Sequence, residues 1–326
     1  MLLKVLRRRS PIYLILIPII ALLLWLNAFM NPVSLAAYST QMPLYQFILC
    51  LLNCNPLYLN ILSYLIILLI SYSLIQINEH FIFIKQRTNL PSALFILIAA
   101  CGTLANGLHP ALISALLLLF SLNQVFKIYH GTQSVASAFD VGLLIGLASL
   151  FYLPTSLFFV WFIWALIILG SFRLREFLGG VIGFITPVFF IGCWYFWNGN
   201  LNSLIESVQA IYGYREAFPS PSVSQILFWI FLALLSLISI FFTIWGFEEK
   251  RVRSRKYLII IVALFITSIA SGILFPSTIL AQAFIAAVPL SYILSYFFVM
   301  NRNTKITEIL FALFVLGCLI LSIIQN

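Results

Sequence analysis

Long apolar runs separated by short polar breaks recur along the whole chain. Eleven of them, at 11–30, 57–76, 90–106, 110–128, 134–153, 155–172, 177–197, 224–247, 257–275, 279–299 and 306–324, are long enough to be membrane helices. Crossing a hydrocarbon core of about 30 Å takes roughly 20 residues at ~1.5 Å of rise each. Only helices and closed barrels satisfy their backbone groups in lipid, and these runs lack the in–out alternation of barrel strands. The pattern predicts an all-α fold, a polytopic transmembrane helical bundle of about 11 spans.

Two of the longer breaks carry patterns of their own. The segment 31–56 has no charged residue, and from Pro43 onward Leu44, Phe47, Ile48 and Leu51 recur at helical spacing. The segment 198–223 contains Ser203-Leu204-Ile205-Glu206, which fits a capping box with Glu206 folded back on the cap. Leu204, Ile205, Val208, Ile211 and Tyr212 then hold helical spacing until Pro219 and Pro221. Both segments read as amphipathic helices lying in the membrane–water boundary.

Charge fixes the expected orientation, because Lys and Arg are retained on the cytosolic side during insertion. With the N-terminus inside, 16 of the 17 Lys and Arg residues fall in cytosolic segments and only Arg215 falls outside. The prediction is N-in/C-out, with both interfacial helices on the outer side. The whole chain, 1–326, forms one integral membrane domain with a basic cytosolic N-terminus at 1–10. Outer loops follow at 31–56 and 198–223, and a basic cytosolic loop at 248–257. A basic stretch at Arg7–Arg9 and the small residues Ala36 and Ala37 give the first run some likeness to a signal peptide, but its apolar stretch is long for one.

Composition agrees with burial in lipid. The chain is 63% hydrophobic and 8% charged, with a mean hydropathy of +1.13, whereas soluble domains carry about 25% charged residues. This excludes a soluble protein. The net charge of +9 sits in clusters at span ends, so it does not indicate nucleic acid; anionic lipid is its plain partner. Of the five cysteines, Cys101, Cys193 and Cys318 lie within spans and Cys50 and Cys54 in the first outer loop, with no His set to complete a metal site. No P-loop, HExxH, dinucleotide fingerprint or nucleophile elbow is present, and no cofactor is expected.

Charged groups within spans carry the most functional information, since each costs at least ~2.5 kcal/mol at a helix centre. Asp140 is the leading one. Its helix must extend back to Ser134, which places Asp140 about 9 Å inside the cytosolic end. Gln133, Ser137 and Leu144 share its face, and Gly142 and Gly146 permit close helix contact. Two readings stand side by side: a carboxylate serving as proton donor or headgroup contact, and an Asp favoured by a helix start. Glu79 and His80, followed by Lys85 and Arg87, form a basic inner segment that is either a headgroup contact or a solvated helix end.

On the outer side His109 precedes Pro110 and is either a boundary residue or an acid–base group. Arg215, Glu216, Tyr212 and Tyr214 form a polar knot after the second interfacial helix. Tyr212, Tyr214 and Arg215 are candidate binding residues for a phosphate or sugar, with Arg215 and Glu216 also candidates for chemistry. A plain Arg215–Glu216 surface contact is the competing reading. A faint repeat relates 78–110 to 123–154, each running through a short span to a proline turn.

Several stretches together resemble an uncharacterised family of bacterial polytopic inner-membrane proteins. They are Met42-Pro43-Leu44-Tyr45, Arg87-Thr88-Asn89-Leu90-Pro91, His109-Pro110-Ala111-Leu112, Phe139-Asp140-Val141-Gly142, Phe151-Tyr152-Leu153-Pro154 and Phe172-Arg173-Leu174-Arg175-Glu176, with the stretch from Gly183 to Pro187. The resemblance covers roughly the first 200 residues and implies a class and a location without a mechanism. A looser similarity is to GT-C type membrane glycosyltransferases, which draw sugars from polyprenyl-phosphate donors. Those enzymes carry a catalytic acid in the first outer loop, and 31–56 contains neither Asp nor Glu. The resemblance implies a protein that handles a lipid-linked envelope glycan precursor, as transferase or non-catalytic accessory subunit, with polyprenyl-phosphate or glycolipid and a protein partner in the membrane. A secondary transporter and a structural membrane partner are the alternatives from other classes.

Overall fold

A computed structural model describes residues 12–30, 42–53, 55–84, 86, 88–100, 107–129, 134–213, 223–245, 252–276, 281–301 and 304–324. Among these the fold is helical throughout, with no strand. The helices are α1 (Ile12–Met30), α2 (Pro43–Leu51), α3 (Pro56–Phe81), α4 (Leu90–Ala100), α5 (Pro110–Ile128), α6 (Ser134–Phe151) and α7 (Phe158–Leu169). They continue as α8 (Leu174–Trp197), α9 (Leu201–Gly213), α10 (Val223–Trp245), α11 (Val252–Leu274), α12 (Gln282–Met300) and α13 (Thr304–Ile324). A one-turn 3-10 helix, Leu153–Leu157, leads into α7.

Prolines and caps set several of these boundaries. Asn55 accepts a hydrogen bond from the Leu57 N–H at 3.0 Å, and Pro56 opens α3, where its missing N–H costs nothing. His109 caps α5 in the same way: its Nδ1 accepts from the Ala111 N–H at 3.1 Å, and Pro110 is the first helical residue. At the other end of α7, Gly170 takes the left-handed conformation with φ of 73° that closes a helix without a Cβ clash.

Among the described residues seven helices, α3, α5, α6, α8, α10, α11 and α12, are long and apolar enough to cross a membrane. Large apolar side chains stay uncovered on them, including Phe189, Phe190, Trp194 and Trp197 along α8, the last 88% exposed. A soluble protein rarely leaves so continuous an apolar surface in water. The chain is therefore an integral, multi-pass membrane protein.

The run at 90–106 is expected to form one full span; Leu90–Ala100 of it is helical as α4, and 101–106 lie outside the described residues. Nearly every α4 side chain is buried, and α12, α3 and α13 surround it. The run at 155–172 is shorter than a full span, because its first turn is the 3-10 helix and Gly170 ends α7. A helix as short as α7 suits the inside of a bundle, where protein rather than lipid covers its ends. At the centre lies α12, buried along most of its length and packed on α4, α5, α10 and α11.

The tightest pair is α6 with α8, which run parallel and meet through glycines. Gly142 sits against the backbone of Gly180, Gly183 against that of Phe139, and Gly146 against Phe184 and Pro187. This is the small-residue packing by which membrane helices gain backbone-to-backbone contact.

Both segments are helical, and α9 departs from the expectation at its start. On α2, Phe47 and Leu51, from the apolar face expected to lie in the membrane–water boundary, are 65% and 69% exposed. Tyr45 and Met42 are buried against the protein, where the Tyr45 hydroxyl donates to the Leu108 carbonyl at 2.7 Å. In α9 the capping box is not made. The helix begins at Leu201, so Ser203 lies inside it and its hydroxyl donates to the Asn200 carbonyl at 2.7 Å, leaving Glu206 exposed in mid-helix.

Candidate functional site

Hydrogen bonds and ring contacts sort the polar residues into two ends of the bundle. At one end Tyr257 on α11 donates to the Phe126 carbonyl of α5 at 3.3 Å, and Phe81 at the end of α3 packs edge-on to both rings. Arg253 donates to the Tyr257 hydroxyl at 2.9 Å. Lys256 donates to the Leu169 carbonyl of α7 at 2.9 Å while its ammonium stands 4.7 Å from the centre of the Tyr129 ring. A cation on the last carbonyl of a helix satisfies an acceptor that has no partner in the helix and meets the negative end of its dipole. Lys127, His80, Arg173 and Arg175 stand on the helix termini of this same end.

Ser134 and Glu176 also belong here. The Ser134 hydroxyl donates to Glu176 Oε1 at 2.9 Å, tying the start of α6 to the first turn of α8. Glu176 is only 3% exposed, and its Oε2 has no hydrogen-bond partner. Its position in the first turn of α8 sets it against the positive end of that helix. The sequence gives a signal for Glu176 only in hindsight, as an acid one residue after Arg175.

Asp140 lies half-buried between α5 and α6, where Gln124 Nε2 donates to its Oδ2 at 3.3 Å. Because α6 begins at Ser134, Asp140 is beyond the first turn, and the helix-start reading does not apply to it. Of the residues expected beside it, Gln133 lies outside the described residues.

The opposite end holds His109. It is buried against Tyr152 and Phe284, with ring centres 6.0 and 6.3 Å away, and its Nδ1 is committed to capping α5. Gln282 at the start of α12 is also buried there, at 3% exposure, and both its amide atoms lack hydrogen-bond partners. Asn60 Oδ1 accepts from the Gly107 N–H at 2.7 Å and joins α3 to the turn before α5. Gln124, the Asp140 partner, is 14 residues beyond Pro110 on α5, so His109 and Asp140 stand roughly 21 Å apart along that helix. They do not form one site.

The polar knot after α9 falls largely outside the described residues: Tyr214, Arg215 and Glu216 lie there entirely, and Tyr212 is placed by its backbone only, near the end of α9. One further arrangement has no counterpart in the sequence motifs. Between the last two turns of α3 and α5 lies a cleft of about 230 Å³ lined by Ser73, Gln76, Ile77, His80, Phe120, Asn123 and Lys127. Only His80 among them is singled out by the sequence, and the side-by-side course of the two helices gathers it with the others. Among the described residues no group of three or more His, Cys, Asp or Glu side chains is arranged to hold a metal ion.

No protein family, curated protein or solved structure matches the chain.

Proposed function

We propose that the protein is a bacterial inner-membrane protein that handles a polyprenyl-phosphate-linked or similar lipid-linked envelope glycan precursor. It does so as a GT-C-like transferase or as the accessory subunit of one. In this reading eleven apolar helices cross the bilayer, the N-terminus lies in the cytosol and the C-terminus outside. Support for the sidedness comes from the gathering of His80, Lys127, Arg253 and Lys256 at one end of the bundle, as cytosolic retention of basic segments requires.

The observation that carries the reading is the pair of amphipathic helices at the other end. The Tyr45 bond to Leu108 fixes α2 beside the start of α5, and α9 follows directly on the end of α8. Phe47 and Leu51 on α2, and Ile205 on α9, face away from protein. Two such helices at one membrane surface can border a groove for a lipid-borne substrate, with Tyr212, Tyr214, Arg215 and Glu216 at the end of one of them. Arg is suited to a phosphate there because its planar fork donates in pairs. Gentle extraction and native mass spectrometry should reveal a held polyprenyl-phosphate or glycolipid mass that Arg215→Ala loses. Bulk phospholipid alone, unchanged by that substitution, would end the reading.

A second reading, secondary transport, rests on Asp140 and its Gln124 partner within the membrane-spanning part of α5 and α6. Asp140→Asn keeps an acceptor for Gln124 and removes the charge. Under this reading it abolishes pH-dependent solute uptake in proteoliposomes; uptake indifferent to the change would remove the second reading's support.

A further inference from the structure

The cleft between α3 and α5 lies at the basic end, away from the α2 and α9 surface, and its contents point to an anion. Ser73, Gln76 and His80 face it from α3, and Asn123 and Lys127 from α5. Every one of these side chains can donate a hydrogen bond, and no carboxylate lines the cleft. Among the described residues Ser73, Gln76, Asn123 and Lys127 make no side-chain hydrogen bond or ion pair. Glu79, the nearest acid along α3, is outside the lining and already engaged. Asp140 is held on the α6 side of α5 by Gln124.

The cleft is also pre-formed. Phe81 and Phe126, one turn or less from His80 and Lys127, meet edge-on with ring centres 5.2 Å apart and hold the two helix ends together. Its volume of about 230 Å³ has room for roughly seven waters at ~30 Å³ each, enough for a phosphate and its ester oxygens.

The exposed stripe of α3 tells which anion. Tyr58, Ile61, Leu65 and Leu69 are all exposed and apolar, and at steps of three and four residues the same stripe continues into Ser73, Gln76 and His80. A lipid-facing surface about 16 Å long thus runs directly into a donor-lined cleft. That is the order of an acyl chain and its headgroup. We propose that the cleft binds the phosphate headgroup of an anionic membrane lipid whose acyl chain lies along the Tyr58 to Leu69 stripe. The C-terminus of α5 favours the Lys127 cation, and the lipid phosphate then meets that cation and the imidazole, amide and hydroxyl donors.

The test uses the full-length protein in nanodiscs and native mass spectrometry. Phosphatidylglycerol is compared with phosphatidylcholine of the same chains, with and without excess inorganic phosphate. The expected result is one retained phosphatidylglycerol per chain, preferred over phosphatidylcholine and not displaced by inorganic phosphate. Lys127→Gln should weaken retention about fivefold, since one cation near a lipid surface is worth ~1 kcal/mol. Asn123→Leu, close in volume, should weaken it as well, and it serves as the second variant if Lys127→Gln does not fold. Lys305→Gln, a cation elsewhere at the α13 start, should leave retention unchanged. Equal retention of the two lipids, or an effect of Lys305→Gln as large as that of Lys127→Gln, overturns the proposal. Displacement by inorganic phosphate overturns the lipid assignment in favour of a free anion.

Discussion

Lys256 does two things with one ammonium group: it closes α7 by donating to the Leu169 carbonyl, and it stands over the Tyr129 ring. A cation at a helix end contributes ~0.3–1 kcal/mol, and up to about 2 when partly buried; a cation–π contact adds about 0.5–1. Replacing Lys256 by Met keeps the stem and removes both terms. Lys256→Met should therefore lower thermal stability by about 1–2 kcal/mol in detergent. Arg255→Met, on the exposed neighbour, should change it by less than ~0.5 kcal/mol. Equal melting shifts for the two variants would show that Lys256 does no more than any surface cation. In the sequence Lys256 is one of five basic residues within ten positions, all equivalent as topology signals. What singles it out is the Leu169 carbonyl 87 positions away, which no local pattern contains.

At the scale of elements, glycine decides how closely two helices approach. Gly183 lies against the Phe139 carbonyl and 2.9 Å, measured from an added Cβ, from the Leu143 nitrogen, so a methyl group there has only backbone to displace. Gly192 on the same helix has nothing within 4 Å of such a Cβ. Gly183→Ala should force α6 and α8 apart and cost about 1–3 kcal/mol, as overpacking does, whereas Gly192→Ala should be neutral or stabilise by up to ~1 kcal/mol through helix propensity. Unfolding in graded denaturant compares the two, and equal outcomes would refute the glycine seam. Half of this seam was legible: Gly142 and Gly146 are visible as a small-residue pair four apart, while their partner helix is not. Helix positions were legible wherever a proline or cap begins an apolar run, as at Pro110–Ile128, whose bounds match the expected span. Length was misjudged at 155–172, where a 3-10 turn and the left-handed Gly170 leave α7 with only Phe158–Leu169. The inward side of α2 was not legible, because the Tyr45 hydroxyl meets a carbonyl 63 positions away that periodicity cannot register.

For the whole molecule the decisive property is sidedness, because it determines whether the α2 and α9 surface and the α3–α5 cleft open on different compartments. The charge pattern implies it, and the structure brings the ends of α3, α5, α7 and the start of α11 to one side through Phe81, Phe126, Leu169, Lys256 and Tyr257. Three helices, α10, α11 and α12, each long and apolar enough to cross a membrane, separate α9 from α13, so three crossings would put Asn202 and Lys305 on opposite faces. Both residues are exposed, so each accepts a reporter with little effect on packing. In a chain freed of its native cysteines, Asn202→Cys should react with a membrane-impermeant maleimide added to the outer face of intact spheroplasts. Lys305→Cys should react only after the membrane is opened. Labelling of both from one face would mean that one of α10, α11 and α12 does not cross, and the N-in/C-out arrangement would fall with it. Labelling of Lys305→Cys alone from outside would invert the molecule, setting the basic end and its donor-lined cleft outside and the paired amphipathic helices in the cytosol. Such an inversion would run against the retention of Lys and Arg on the cytosolic side, so the reactivity of these two positions also tests that rule on this chain.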